Sequence, residues 1–182
     1  MKKSTLGLAV SAFFMVSAAQ AAVSPYDVSA TLSVVGTVTP AEAGCAVNTS
    51  VNNVVLNTDV TKLKDQQSIQ TANDLTTVDL TVVGDTCSDQ VQQGKIAYVF
   101  KGAADGSVGM SLANTATGEG AATGVAIGLF DVMGKPININ SQTVVAHEGI
   151  TYLGLNLVKM TNAEETTTGN VQGSLTIQIE RL

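Results

Sequence analysis

The sequence contains no tryptophan, four phenylalanines, three tyrosines and a single histidine. Small-molecule pockets are lined mainly by apolar and aromatic side chains around a few polar groups, so this scarcity argues against an aromatic-lined ligand site. Charge is sparse as well, at 13% of residues, which is low for a surface that stays soluble alone and fits one partly covered by partners. Basic residues number nine against fifteen acidic ones, a formal net charge of −6. That balance excludes nucleic-acid binding, which needs a basic footprint. No segment holds the ~18 continuous apolar residues of a membrane helix, and none sustains an apolar stripe of helical period. Only two cysteines are present.

What is present begins with an export signal. Lys2 and Lys3 precede an apolar run from Leu6 to Ala19 and a small-residue site at Ala19-Gln20-Ala21, the layout of a secretory signal peptide over residues 1–21. About 160 residues remain, enough for one ordinary domain. With no direct membrane insertion expected, the remaining chain is read as exported and soluble, and its formal charge deepens to about −8 because the leader holds two basic and no acidic residues. In an oxidising compartment an even cysteine count implies a disulfide. Cys45–Cys87 is therefore expected, closing a loop worth ~4 kcal/mol on the chain-entropy model. A metal pair would need His or Cys partners at ligand spacing, and the sequence supplies none.

Alternation of period two, the mark of half-buried strands, recurs along the whole remaining chain. It is clearest at Tyr26, Val28, Ala30, Leu32, Val34 and Val38; at Val78, Leu80 and Val82; at Ile96, Tyr98 and Phe100; at Val125, Ile127 and Leu129; and at Leu175, Ile177 and Ile179. Each run is expected to place one apolar row on a core and polar residues opposite. Less regular strands are expected near Val51–Leu56, Val108–Leu112, Ile137–Ile139 and Ile150–Val158. Loops are expected at Asn114–Gly124 and Thr161–Asn170, with a tight turn at Met133-Gly134-Lys135-Pro136. The polar 61–74 stretch is ambiguous. About eight or nine short strands separated by turn signals imply an all-β sandwich of the immunoglobulin type.

Several of these segments together resemble the chaperone–usher pilins, in particular the type 1 fimbrial major-subunit family. They are the alternating, glycine-bearing Leu32-Ser33-Val34-Val35-Gly36-Thr37-Val38, the cysteines Cys45 and Cys87, the run Gly124-Val125-Ala126-Ile127-Gly128-Leu129-Phe130-Asp131 followed by Gly134 and Pro136, and the closing strand Gly173-Ser174-Leu175-Thr176-Ile177-Gln178-Ile179. The resemblance covers essentially all of the chain after the leader. Two departures are visible: Arg181 stands where such pilins often carry a penultimate tyrosine, and the interval from Gly36 to Cys45 is slightly longer than usual.

The resemblance implies an incomplete immunoglobulin-like sandwich over 41–182, with an N-terminal donor-strand extension over 22–40. Leu175, Ile177 and Ile179 would border an open groove. Tyr26, Val28, Leu32, Val34, Gly36 and Val38 would form the strand donated to another subunit, with Gly36 admitting close backbone approach. The implied partners are identical or related pilin subunits, a periplasmic chaperone and an outer-membrane usher. The implied destination is a fimbrium on the bacterial surface, reached through the periplasm, that supports cell adhesion. A minor or tip-proximal subunit touching a receptor itself is the alternative, and a self-complete secreted immunoglobulin-like protein is a third class.

Chemistry-bearing motifs are otherwise missing, and the expectation is a non-enzyme with no cofactor and no metal. His147 reads as an exposed loop residue, and no Gly-x-Ser-x-Gly elbow occurs. Asp59, Asp65, Asp74, Asp79, Asp85, Asp105, Asp131 and Glu164-Glu165 read as solvated turn residues, since no stretch has the alternating acidic ligands of a calcium loop.

Overall fold

The computed structural model describes residues 44–182. The leader and the proposed donor residues Tyr26, Val28, Leu32, Val34, Gly36 and Val38 therefore lie outside the described residues. Within them, the alternating segments fold as strands β1 (Ala46–Thr49), β2 (Lys64–Asp65), β3 (Thr76–Val83), β4 (Ile96–Lys101), β5 (Leu112–Ala113), β6 (Val125–Phe130), β7 (Pro136–Ile137), β8 (Thr143–Val145), β9 (Thr151–Lys159) and β10 (Thr176–Arg181). One short helix, α1 (Cys87–Gln92), joins β3 to β4, and the ambiguous 61–74 stretch holds two 3-10 turns, Val60–Lys62 and Ala72–Asp74.

The strands form two sheets. The larger runs β1-β3-β9-β6-β5, with β2 also beside β9 and β7 also beside β6; the smaller runs β10-β4-β8. All pairings are antiparallel except the short parallel contact of β2 with β9. Between the sheets, Val78 and Leu80 of β3, Leu153 and Leu155 of β9 and Leu129 of β6 meet Ile96, Tyr98 and Phe100 of β4. Successive strand side chains point to opposite faces, which is why the apolar rows legible in the sequence become this core.

Two strands depart from the one-row expectation. In β6, Ala126 and Phe130 are also fully buried, because the outer face of the large sheet carries a second small core in which they meet Val158 beneath Leu75 and Met160. Gly128 makes room there: a Cβ on it would lie 2.8 Å from the Phe130 ring. In β4, Ala97 and Val99 are buried too. They are short, and in register they are flanked by the longer Glu180 and Gln178 of β10 and by Val145 and Thr143 of β8.

The expected strand at Val51–Leu56 joins no ladder among the described residues and bends at Asn52, and pairing occurs just upstream in β1. Of Val108–Leu112, only the last residue joins a strand. Asp105 explains this. Its carboxylate takes the backbone N–H groups of Ser107, Val108 and Ser111 at 2.9, 3.1 and 2.8 Å, closing the segment into a loop. Asp105 is therefore a buried residue, 5% exposed, and not the solvated turn residue expected. The turn at Met133–Pro136 forms as anticipated. Asp131 Oδ1 accepts N–H groups from Met133 and Lys135 at 2.8 and 2.9 Å. Gly134 adopts φ 73° against the backbone of Gln70, where a side chain would find neither conformation nor space.

Candidate binding groove

Two strands end the sheets on the same side of the sandwich. Among the described residues β1 pairs with β3 alone and β10 with β4 alone. In an antiparallel pair, alternate residues direct both backbone groups to the partner and the others direct theirs away. Each of these strands therefore presents a free row of N–H and C=O groups along its outer edge. Downstream of β1, no hydrogen bond among the described residues engages the backbone of residues 51–58.

Between the edges lies a groove of about 470 Å³. Val47, Thr49, Val54 and Leu56 form one wall; Gly173, Ser174, Leu175 and Ile177 form the other; Val78, Leu112, Ile127, Leu153 and Leu155 form the floor. The walls follow from period two. Cys45, Val47 and Thr49 turn inward while Ala46, Asn48 and Ser50 face solvent, and Leu175, Ile177 and Ile179 are half-buried while Thr176, Gln178 and Glu180 are exposed. Gly173 keeps the channel open where it crosses the floor, since a Cβ there would come 2.7 Å from Ile127 Cδ1. The channel continues into a more polar stretch of about 640 Å³ bordered by Asn57, Thr58, Thr115, Asn170 and Gln172. Among the described residues no charged side chain lines either part. Its chemistry suits an uncharged, extended segment that brings apolar side chains to the floor and backbone groups to the edges.

One end of this arrangement is anchored covalently. Cys45, at the start of β1, is bonded to Cys87, at the start of α1, with Cα atoms 5.7 Å apart. Arg181 at the end of β10 donates to Gln90 Oε1 of α1, and its guanidinium also lies 3.7 Å from Cys45 Sγ. The Leu182 N–H donates to the Lys95 carbonyl at 2.9 Å. The disulfide, α1 and the last two residues thus hold the two groove walls at one end.

Of the residues singled out in the sequence, Leu175 and Ile177 line the groove, whereas Ile179 lies beyond its lining, opposite Tyr98 in register. The opposite wall was missed. Its signal was the alternation of Cys45, Val47 and Thr49 followed by Val54 and Leu56; the floor residues Leu112 and Ile127 are brought there only by tertiary folding.

Titratable groups with displaced pKa values all lie outside the groove. Burial pushes the Tyr98 hydroxyl up, against a hydrogen bond with Thr151. The Lys64 ammonium, 2.8 Å away, and then the Thr71 hydroxyl bring Asp74 down to about 2. Burial works to raise the Asp105 carboxyl, but the N–H groups of Ser111, Ser107, Val108 and Gly109 together outweigh it and leave it below the usual carboxylate value. His147 is exposed. Among the described residues no three His, Cys, Asp or Glu side chains are grouped to hold a metal ion.

The described residues form an immunoglobulin-like sandwich of two sheets with a groove between two edge strands. The chain belongs to the fimbrial protein family, whose description it matches over residues 32–180. Its fold is similar to that of the P pilus rod subunit PapA, with a TM-score of 0.50 and 16% identity over 82% of this chain and 99% of that one. No curated protein sequence matches it. The chain is accordingly a structural subunit of a surface pilus, assembling with other pilin subunits.

Proposed function

We propose that the groove accepts a β-strand donated by another subunit, and that the chain's own segment 22–40 is the strand it donates in turn. The observation that supports this reading is the pair of facing strand edges, β1 and β10, unpaired among the described residues and separated by an uncharged, largely apolar channel. Left uncovered, such edges template aggregation. A donated strand covers them, with main-chain hydrogen bonds giving affinity and alternate side chains giving specificity, as in the donor-strand complementation of pilins.

Val28, Leu32, Val34 and Val38 share one parity in the donor. Burying four such side chains contributes roughly 6–12 kcal/mol gross, before the cost of ordering the arm. An arm of one copy in the groove of the next makes a head-to-tail contact that does not close on itself, and such contacts generate filaments. In this reading the leader 1–21 directs export, a periplasmic chaperone fills the groove until assembly, and an outer-membrane usher passes the subunits to the surface. The finished shaft supports adhesion.

Deleting residues 22–38 tests the assignment. The shortened subunit is expected to fold, to remain bound to its chaperone and to accept one donor, yet to add no further subunit. Electron microscopy and native mass measurement read the result, and fibres of normal length from the deleted protein would refute it.

A further inference from the structure

We infer that the segment 66–70, which straps the outer face of the large sheet, encloses bound water, with the side-chain amides of Gln66 and Gln70 as its ligands. The inference is independent of strand exchange, because the strap lies on the opposite face of the sheet from the groove.

Backbone hydrogen bonds fix the strap at both ends. The Gln66 N–H donates to the Lys159 carbonyl at the end of β9 at 3.0 Å, and the Gln70 N–H donates to the Gly134 carbonyl in the β6–β7 turn at 2.9 Å. β6 lies between β9 and β7 in the sheet, so the strap passes over it. Its polarity is inverted: Ile69 is 65% exposed, whereas Gln66 and Gln70 are 1% and 2% exposed.

Three atoms of these amides, Gln66 Nε2, Gln66 Oε1 and Gln70 Oε1, are buried without a hydrogen-bond partner among the described residues. The sheet beneath has little to offer them. Ala126, Phe130 and Val158, the fully buried outward side chains of β6 and β9, carry no donor or acceptor, and the two strands spend their facing backbone groups on each other. An amide left unpaired in such surroundings is costly. Internal water, which typically makes about three hydrogen bonds to otherwise unsatisfied buried groups, removes that cost, and the two amides supply it with one donor and two acceptors. On their other face β6 and β9 carry the groove-floor residues Ile127 and Leu155, so the hydrated layer backs the floor without touching it.

The test compares the full exported chain, in the form in which it purifies, with Q66M and Q70M, near-isosteric changes that remove an amide. Each single change leaves the remaining groups unpaired and is expected to lower the melting temperature by about 2–4 °C. Q66M/Q70M, in which both ligands become apolar, is expected to lower it by less than the sum. A rise in Q66M, the result for an amide that had no partner to lose, or single effects that simply add, would overturn the inference. A high-resolution crystal structure separates water from direct protein contacts. Water density within about 3.2 Å of the Gln66 amide and of Gln70 Oε1 is expected; amides bonded straight to protein groups, with no water between them, would overturn it as well.

Discussion

At the scale of the residue, Asp105 shows how a single carboxylate decides local structure. Its folded pKa is depressed, so its contribution to stability is present above the ordinary value of 3.8 and is lost as pH falls through the folded value. Asp105→Asn keeps the shape but gives up the charge-assisted bonds, and at neutral pH it is expected to cost about 1–3 kcal/mol. In denaturant unfolding the difference between the two proteins should shrink in acid and vanish below the folded pKa; a pH-independent difference would point to packing instead. The sequence marked this position as a turn, since Asp beside Gly favours one. Burial was illegible, because it depends on where Ser107, Val108 and Ser111 bring their backbone. The same holds for Gln66 and Gln70, whose burial no local rule anticipates.

Among the elements, β3, β4, β6 and β10 were readable because an apolar residue recurs at every second position over five residues within or abutting each, whereas β9 showed only a less regular pattern. The wall opposite β10 was not. Val51–Leu56 has the composition of a strand but no partner strand among the described residues, and an unpaired edge has no signature of its own in a single chain. Two predictions belong to these elements. Ile177→Asp places a charge on the inner face of the groove while leaving the β10–β4 ladder intact, so subunits are expected to fold but to accept no donor. Cys45→Ser with Cys87→Ser releases β1 from α1. The change is expected to cost about 2–5 kcal/mol and to raise amide exchange first in residues 46–49; exchange rising uniformly across both sheets would show that the bond holds the whole domain and not one wall.

For the whole molecule, the fold class was legible as soon as strands recurred at short intervals without a helical stripe, and the short α1 modifies that reading little. Which face of the sandwich stays open could not be read from periodicity alone. It follows from strand order, in which β1 and β10 each lack a second neighbour among the described residues. The resemblance to pilins implied a groove beside the C-terminal strand, where local pattern could not.

Among the described residues the channel between those strands is bordered by Val, Leu, Ile, Thr, Ser, Asn, Gln and Gly and by no ionisable group. Dissolved ions weaken attractions between charges, and here the receiving surface offers none to weaken. Joints made this way should hold equally in dilute water and in brine. Fibre length measured across ionic strengths should stay constant. A surface appendage built so would keep its joints whether its surroundings are fresh or saline.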